Sequence, residues 1–149
     1  MRVFYLFDVN DNFYNMYKEY PFKLYKMFED IYLTSKHNKN LANGMYEQIN
    51  CKYNKAFMNN YIKNKNRLDI YYYNKDNMHI ISSRYDYSKL FVNTYYIKIK
   101  SNLNFTNFFR HLNSYSNNIF VCDFDNNDYF WLEKVIKLDD KFQDNLIKQ

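Results

Sequence analysis

The sequence predicts an α+β domain, with a mixed, mostly antiparallel sheet of five to six strands and helices packed against it. Three observations carry that expectation. The chain opens on an alternating stretch that passes at once into two helical stripes. Short runs rich in β-formers crowd its middle. Near the C-terminus, an apolar run turns on a polar segment and returns. With 149 residues it is expected to be one domain, residues 1–149, long enough to bury roughly two-thirds of its unfolded surface.

Arg2 to Val9 alternates weakly and is apolar on both faces, as in a strand covered on both sides. Asn10 and Asp11 supply N-cap oxygens, and Phe13, Met16, Tyr17 and Tyr20 follow at helical spacing. Pro21 ends that helix and suits the first position of another, whose stripe is Leu24, Met27, Phe28 and Ile31. Ser35 to Asn40 is a polar loop. Leu41, Met45, Ile49 and Tyr53 then recur four apart and predict one helix from Leu41 to about Tyr61. Leu68–Tyr73 and Met78–Ser82 flank Asn74-Lys75-Asp76-Asn77, a hairpin with a four-residue loop. Ser83–Ser88 reads as loop and Leu90–Lys100 as one longer strand, with Lys98 and Lys100 on a wet face. Asn104 or Thr106 caps a helix striped by Phe105, Phe108, Phe109 and Leu112. Ile119–Phe124 is apolar on both faces like a central strand. Asp125–Asp128 turns the chain, Tyr129–Leu132 returns it, and Asp139–Lys148 forms a frayed terminal helix.

Composition bounds the function. With 47% hydrophobic residues, including 18 Tyr and 14 Phe, the chain is too apolar to stay disordered. The net charge of +5 permits an acidic partner without demanding one, because the positive residues are interspersed with acidic ones. Cys51 and Cys122 read as reduced thiols, since a chain this long folds without a disulfide. No apolar stretch approaches a membrane span, and the opening apolar run is too short for a signal peptide. The protein is expected to be cytoplasmic.

Chemical signatures are absent. A single Gly rules out phosphate-cradling glycine loops and the nucleophile elbow. Asp123, Asp125 and Asn127 start like a calcium loop, but Asp128 stands where glycine is needed and Lys134 where the bidentate Glu belongs, so a polar hairpin turn is expected. His37, His79 and His111 share no ligand spacing with each other or with the cysteines, and His111 reads as a solvated surface residue. Cys122 sits on an apolar strand and reads as a small buried hydrophobe. No cofactor, no metal and no catalysis are expected. Lysines interleaved with tyrosines in Lys23–Lys26, Lys52–Lys55 and Tyr61–Lys63 offer an alternative, a basic aromatic-rich protein that binds single-stranded nucleic acid. Solvated helix faces explain them more simply. The stripe Phe13, Met16, Tyr17 and Tyr20 admits two readings, aromatic anchors presented to a partner or the core face of its helix, and the spacing favours the core face.

Two segments carry a family resemblance. Tyr5-x-Phe7-x-Val9, Phe13-x-x-x-Tyr17 and Phe28-Glu29-Asp30 resemble the N-terminus of the sporulation inhibitor of replication protein (SirA) family. Phe120-Val121-Cys122-Asp123-Phe124, followed by Tyr129-x-Trp131-Leu132, is similar to that family's strand, turn and aromatic-Trp-Leu return. The resemblance implies a non-enzymatic regulator from an endospore-forming or related Firmicute. It would act as a monomer, forming a heterodimer with the N-terminal domain of the replication initiator DnaA, with no membrane and no direct nucleic-acid contact. It also implies that Phe13 and Tyr17 touch the partner, which leaves Met16 and Tyr20 to pack inward. One departure stands out: where the family pattern continues Trp-Leu-Asn-Pro, this chain has Trp131-Leu132-Glu133-Lys134.

Overall fold

A strand threaded through the middle of the sheet organises the computed structural model, which describes residues 1–148. β1 (Arg2–Asp8) leads into α1 (Asp11–Tyr17), α2 (Pro21–Ser35), α3 (Lys39–Ile49) and α4 (Lys55–Lys65). The strands β2 (Tyr72–Lys75), β3 (Met78–Ser82), β4 (Tyr87–Val92) and β5 (Ile97–Ser101) follow, then α5 (Asn107–Asn113), β6 (Ile119–Asp123), β7 (Asp128–Trp131) and α6 (Leu132–Lys148). The fold class is α+β as expected, but the sheet is larger and purely antiparallel. It has seven strands in the order β2-β3-β4-β5-β1-β6-β7.

Alternation along β1 sends its side chains into two cores, one on each face of the sheet. Phe4 and Leu6 join Met58 and Ile62 of α4, Phe108, Phe109 and Leu112 of α5, and Leu132 and Ile136 of α6. Phe7 and Val9 join Leu24, Phe28 and Ile31 of α2 and Ala42, Tyr46 and Ile49 of α3 on the opposite face. Phe7 stacks on Phe28 with ring centroids 4.0 Å apart, and Phe4 meets Phe109 edge-on at 5.1 Å. Each such ring contributes about 2–3 kcal/mol through burial. β6 is buried throughout because helices cover both of its faces, although only β7 separates it from the sheet edge.

Four expectations are corrected. The predicted Leu90–Lys100 strand is two strands joined at Asn93–Tyr96, a turn closed by Asn93 N donating to Tyr96 O at 2.9 Å. No Gly or Pro marks that turn; Tyr53 N donating to Thr94 O (2.7 Å) and Asn50 Nδ2 donating to Tyr95 O (3.2 Å) hold it from outside. The single helix expected after Leu41 is α3 and α4. Between them Asn50 bridges to Val9, Cys51 N donates to Asp8 O at 2.8 Å, and Asn54 caps α4 by accepting from Phe57 N at 3.0 Å. Tertiary pairing with the end of β1 therefore overrides the four-residue spacing. The hairpin turn is the pair Asp76-Asn77, with Asp76 at φ 56°, a left-handed conformation that aspartate tolerates. Finally, α6 begins at Leu132, and its first turns are anchored in the core rather than frayed.

Candidate partner-binding surface

α1 is the shortest route from β1 to the long helix α2, and its ends are fixed by sequence. Asn10 accepts from Phe13 N at 2.9 Å, the expected N-cap. Pro21 pushes Tyr20 out of helical geometry, to φ −130° and ψ 59°. The seven residues of α1 present Phe13, Tyr17 and Tyr14 on one arc, at about 100° per residue. Tyr14 faces the sheet, its ring 5.0 Å from that of Trp131. Phe13 and Tyr17 stack on each other at 5.9 Å and are half-buried, packed against the core on one side and open on the other.

Met16 and Tyr20 do not pack inward: they are 59% and 56% exposed. Met16 falls outside the packed arc, and Tyr20 leaves the helix ahead of Pro21. Beside Phe13 lies an apolar groove of about 170 Å³ between α1, α2 and α3, walled by Met27, Ile31, Met45 and Ile49, with Asp30 and Gln48 as its polar members. Met45 and Gln48 were not singled out from the sequence as site residues, because the groove exists only once three helices are assembled. Lys134, the departure from the family pattern, donates to Lys18 O at 3.4 Å, placing its charge at the C-terminal end of α1.

Other singled-out residues have structural partners. Asp123 accepts from Arg2 Nε at 2.8 Å and from Asn126 Nδ2 at 2.7 Å. Asn127, at φ 51°, accepts from Tyr25 OH at 3.3 Å, so the segment is a polar hairpin turn. Cys122 is fully buried, and burial pushes its thiol well above the usual range; Cys51 is exposed, and both are free thiols. His79 is buried between Tyr72 and Asn59. His111 is half-buried instead of solvated, and Tyr61 OH of α4 donates to its carbonyl O at 3.3 Å. Among the described residues, no group of three or more His, Cys, Asp or Glu side chains is placed to hold a metal ion, and no helix is long and apolar enough to cross a membrane. The lysine–tyrosine stretches are partly engaged already, Lys26 of α2 with Glu29 at 3.0 Å and Lys52 of the α3–α4 connection with Glu47 at 3.1 Å.

The antiparallel sheet flanked by helices thus carries a half-exposed aromatic helix beside a small apolar groove. The family model of the sporulation inhibitor of replication protein SirA matches residues 2–136, and the chain belongs to that family. No individual curated protein matches it.

Proposed function

We propose that this protein inhibits the initiation of chromosome replication during sporulation by binding the N-terminal domain of DnaA through Phe13 and Tyr17. Membership of a family of sporulation inhibitors of replication supports the biological setting. One structural observation carries the choice of surface. α1 is rich in apolar and aromatic side chains yet has no buried residue, whereas α2, α3, α4 and α5 each bury two or more. A helix that rests on the core without burying any residue keeps its outer side free to serve a partner.

On this reading the mechanism is occupancy. The Phe13–Tyr17 stack is held from behind by the core, so little side-chain entropy remains to be lost on binding. Met16 and Tyr20 extend the apolar contact, and Asp30 and Gln48 form its polar rim. Covering the DnaA domain excludes the contacts that build an initiation complex. Size-exclusion chromatography with light scattering of this protein mixed with the isolated DnaA domain tests the reading. A one-to-one complex is the expected outcome, and two separate peaks at concentrations of about 50 μM would reject it, since hot-spot-driven complexes bind more tightly than that.

A further inference from the structure

Helices α1, α2 and α3 cover β1, β6 and β7 on their face of the sheet, leaving β2 to β5 outside that core and open except along β5, where Tyr32 of α2 lines a cavity with Lys98 and Lys100. The strand registers define what that open area carries. Lys89 lies directly opposite Lys100, Phe91 opposite Lys98, and Lys75 and Tyr73 stand on the same face of β2. Ile80, only 3% exposed, forms the floor between Tyr73 and Lys89 and belongs to neither core. Tyr73 is 49% exposed, and Phe91 is half-buried.

Two features make this face unlike an ordinary solvated sheet. Like charges directly opposite one another destabilise a strand pair, so stability gives no reason for Lys89 to face Lys100. In addition, among the described residues none of Lys75, Lys89, Lys98 and Lys100 forms an ion pair with a carboxylate. The acidic groups at its borders are Asp76, in the turn at the tip of β2, and Asp125, which lines a cavity of about 210 Å³ with Lys98 and Lys100.

We propose that this open face of β2 to β5 binds single-stranded DNA. Phosphates would lie against the four lysines and bases would stack on Phe91 and Tyr73. An acidic protein segment would satisfy the lysines but has no use for the flat rings beside them, whereas every base has a face to stack. A duplex would keep its bases away from the rings. DNA is favoured over RNA because the family acts on replication and the face offers little to select a 2′-hydroxyl. From β2 to β1 the face is about 19 Å wide, enough for a tract of about four nucleotides. The face lies on different elements from α1, so it is independent of the proposed contact with DnaA.

Fluorescence anisotropy with a labelled 15-nucleotide oligo-dT tests this at two salt concentrations. Four neutralised phosphates predict binding roughly 50-fold weaker at 200 mM salt than at 50 mM. Lys89→Ala combined with Lys100→Ala is expected to weaken binding at least tenfold and to flatten the salt dependence, with a thermal midpoint no lower than wild type. Phe91→Leu, which keeps the apolar volume but removes the ring, should weaken it severalfold, and Tyr17→Ala should leave it unchanged. No binding at 50 mM salt, or equal binding by the double lysine variant, would overturn the proposal. Equal or tighter binding of oligo-U, of duplex DNA or of a 15-residue oligoglutamate would overturn it in favour of RNA, duplex or an acidic protein segment.

Discussion

Arg2 divides its guanidinium between two carboxylates of unequal burial: Nε donates to Asp123, 1% exposed, and Nη2 to Asp128, 46% exposed, at 2.8 and 2.7 Å. Losing the arginine leaves Asp123 charged in a buried place, whereas losing Asp128 removes only a solvent-screened contact. Arg2→Ala should therefore cost about 2 kcal/mol in urea unfolding and Asp128→Asn less than about 1 kcal/mol. Equal effects would contradict this division. His79 is a second residue whose surroundings set its chemistry. Tyr72 OH donates to Nδ1 at 2.7 Å and Nε2–H donates to Asn59 Oδ1 at 2.8 Å, so both ring nitrogens are satisfied in the neutral form. Burial, with a smaller push from Lys63, lowers its pKa to about 4. Between that value and the unfolded value near 6.5 the unfolded chain holds the extra proton, so stability falls as pH drops through this window. His111, lowered for the same reason, acts in the same sense, whereas Asp8, raised by burial, opposes them. Comparison with His79→Gln isolates the one group. The stability lost between pH 7 and pH 4 should be smaller in that variant by an amount on the order of 3 kcal/mol. Parallel pH profiles for the two proteins would contradict the neutral assignment.

At the scale of elements, α1 depends on Asn10 for both its start and its attachment. The Asn10 side chain accepts from Phe13 N at 2.9 Å and donates to Gln48 O at 2.9 Å, while its main-chain N–H donates to Ile49 O at 2.8 Å. Asn10→Ala should cost about 1 kcal/mol of stability and also weaken partner binding by loosening α1 on α3. Asn10→Asp keeps the cap but loses the donor to Gln48, and should fall between the two in denaturation and titration; a variant no different from Asn10→Ala would show that the cap is not what matters. Amphipathic stripes made α2 and α5 readable, because each carries its own cap or proline and its own packed face, whereas α1 was readable from its Asn10 cap and the Pro21 that follows it. The break between α3 and α4 was not readable, because the pairing of Asn50 with Val9 and of Cys51 with Asp8 is long-range. The turn between β4 and β5 was missed for a related reason: Asn93 to Tyr96 has no glycine or proline and is held by residues of the α3–α4 connection.

Across the whole molecule, the sheet separates two cores and leaves two surfaces free, the α1 helix with its groove and the open lysine-rich face. Phe13 and Tyr17 were named from a resemblance; their spacing alone favours the core face of the helix over an anchor, because amphipathic stripes usually face the core. Tyr14, absent from that stripe, is the residue that turns toward the sheet, and this rotation leaves Met16 and Tyr20 exposed. The rotation follows from the anchoring of Asn10 and from Trp131, neither of which local periodicity contains. The groove beside Phe13 likewise needs three helices in place. Isothermal titration of the DnaA N-terminal domain with wild type and with Tyr17→Ala decides whether the outer side of α1 grips DnaA, as proposed. A saturable one-to-one isotherm is expected for wild type, and a loss of about 2 kcal/mol, roughly 30-fold in Kd, for a variant whose circular dichroism and thermal midpoint remain close to wild type. Unchanged affinity in a folded Tyr17→Ala protein, or no heat of binding from wild type, would contradict it.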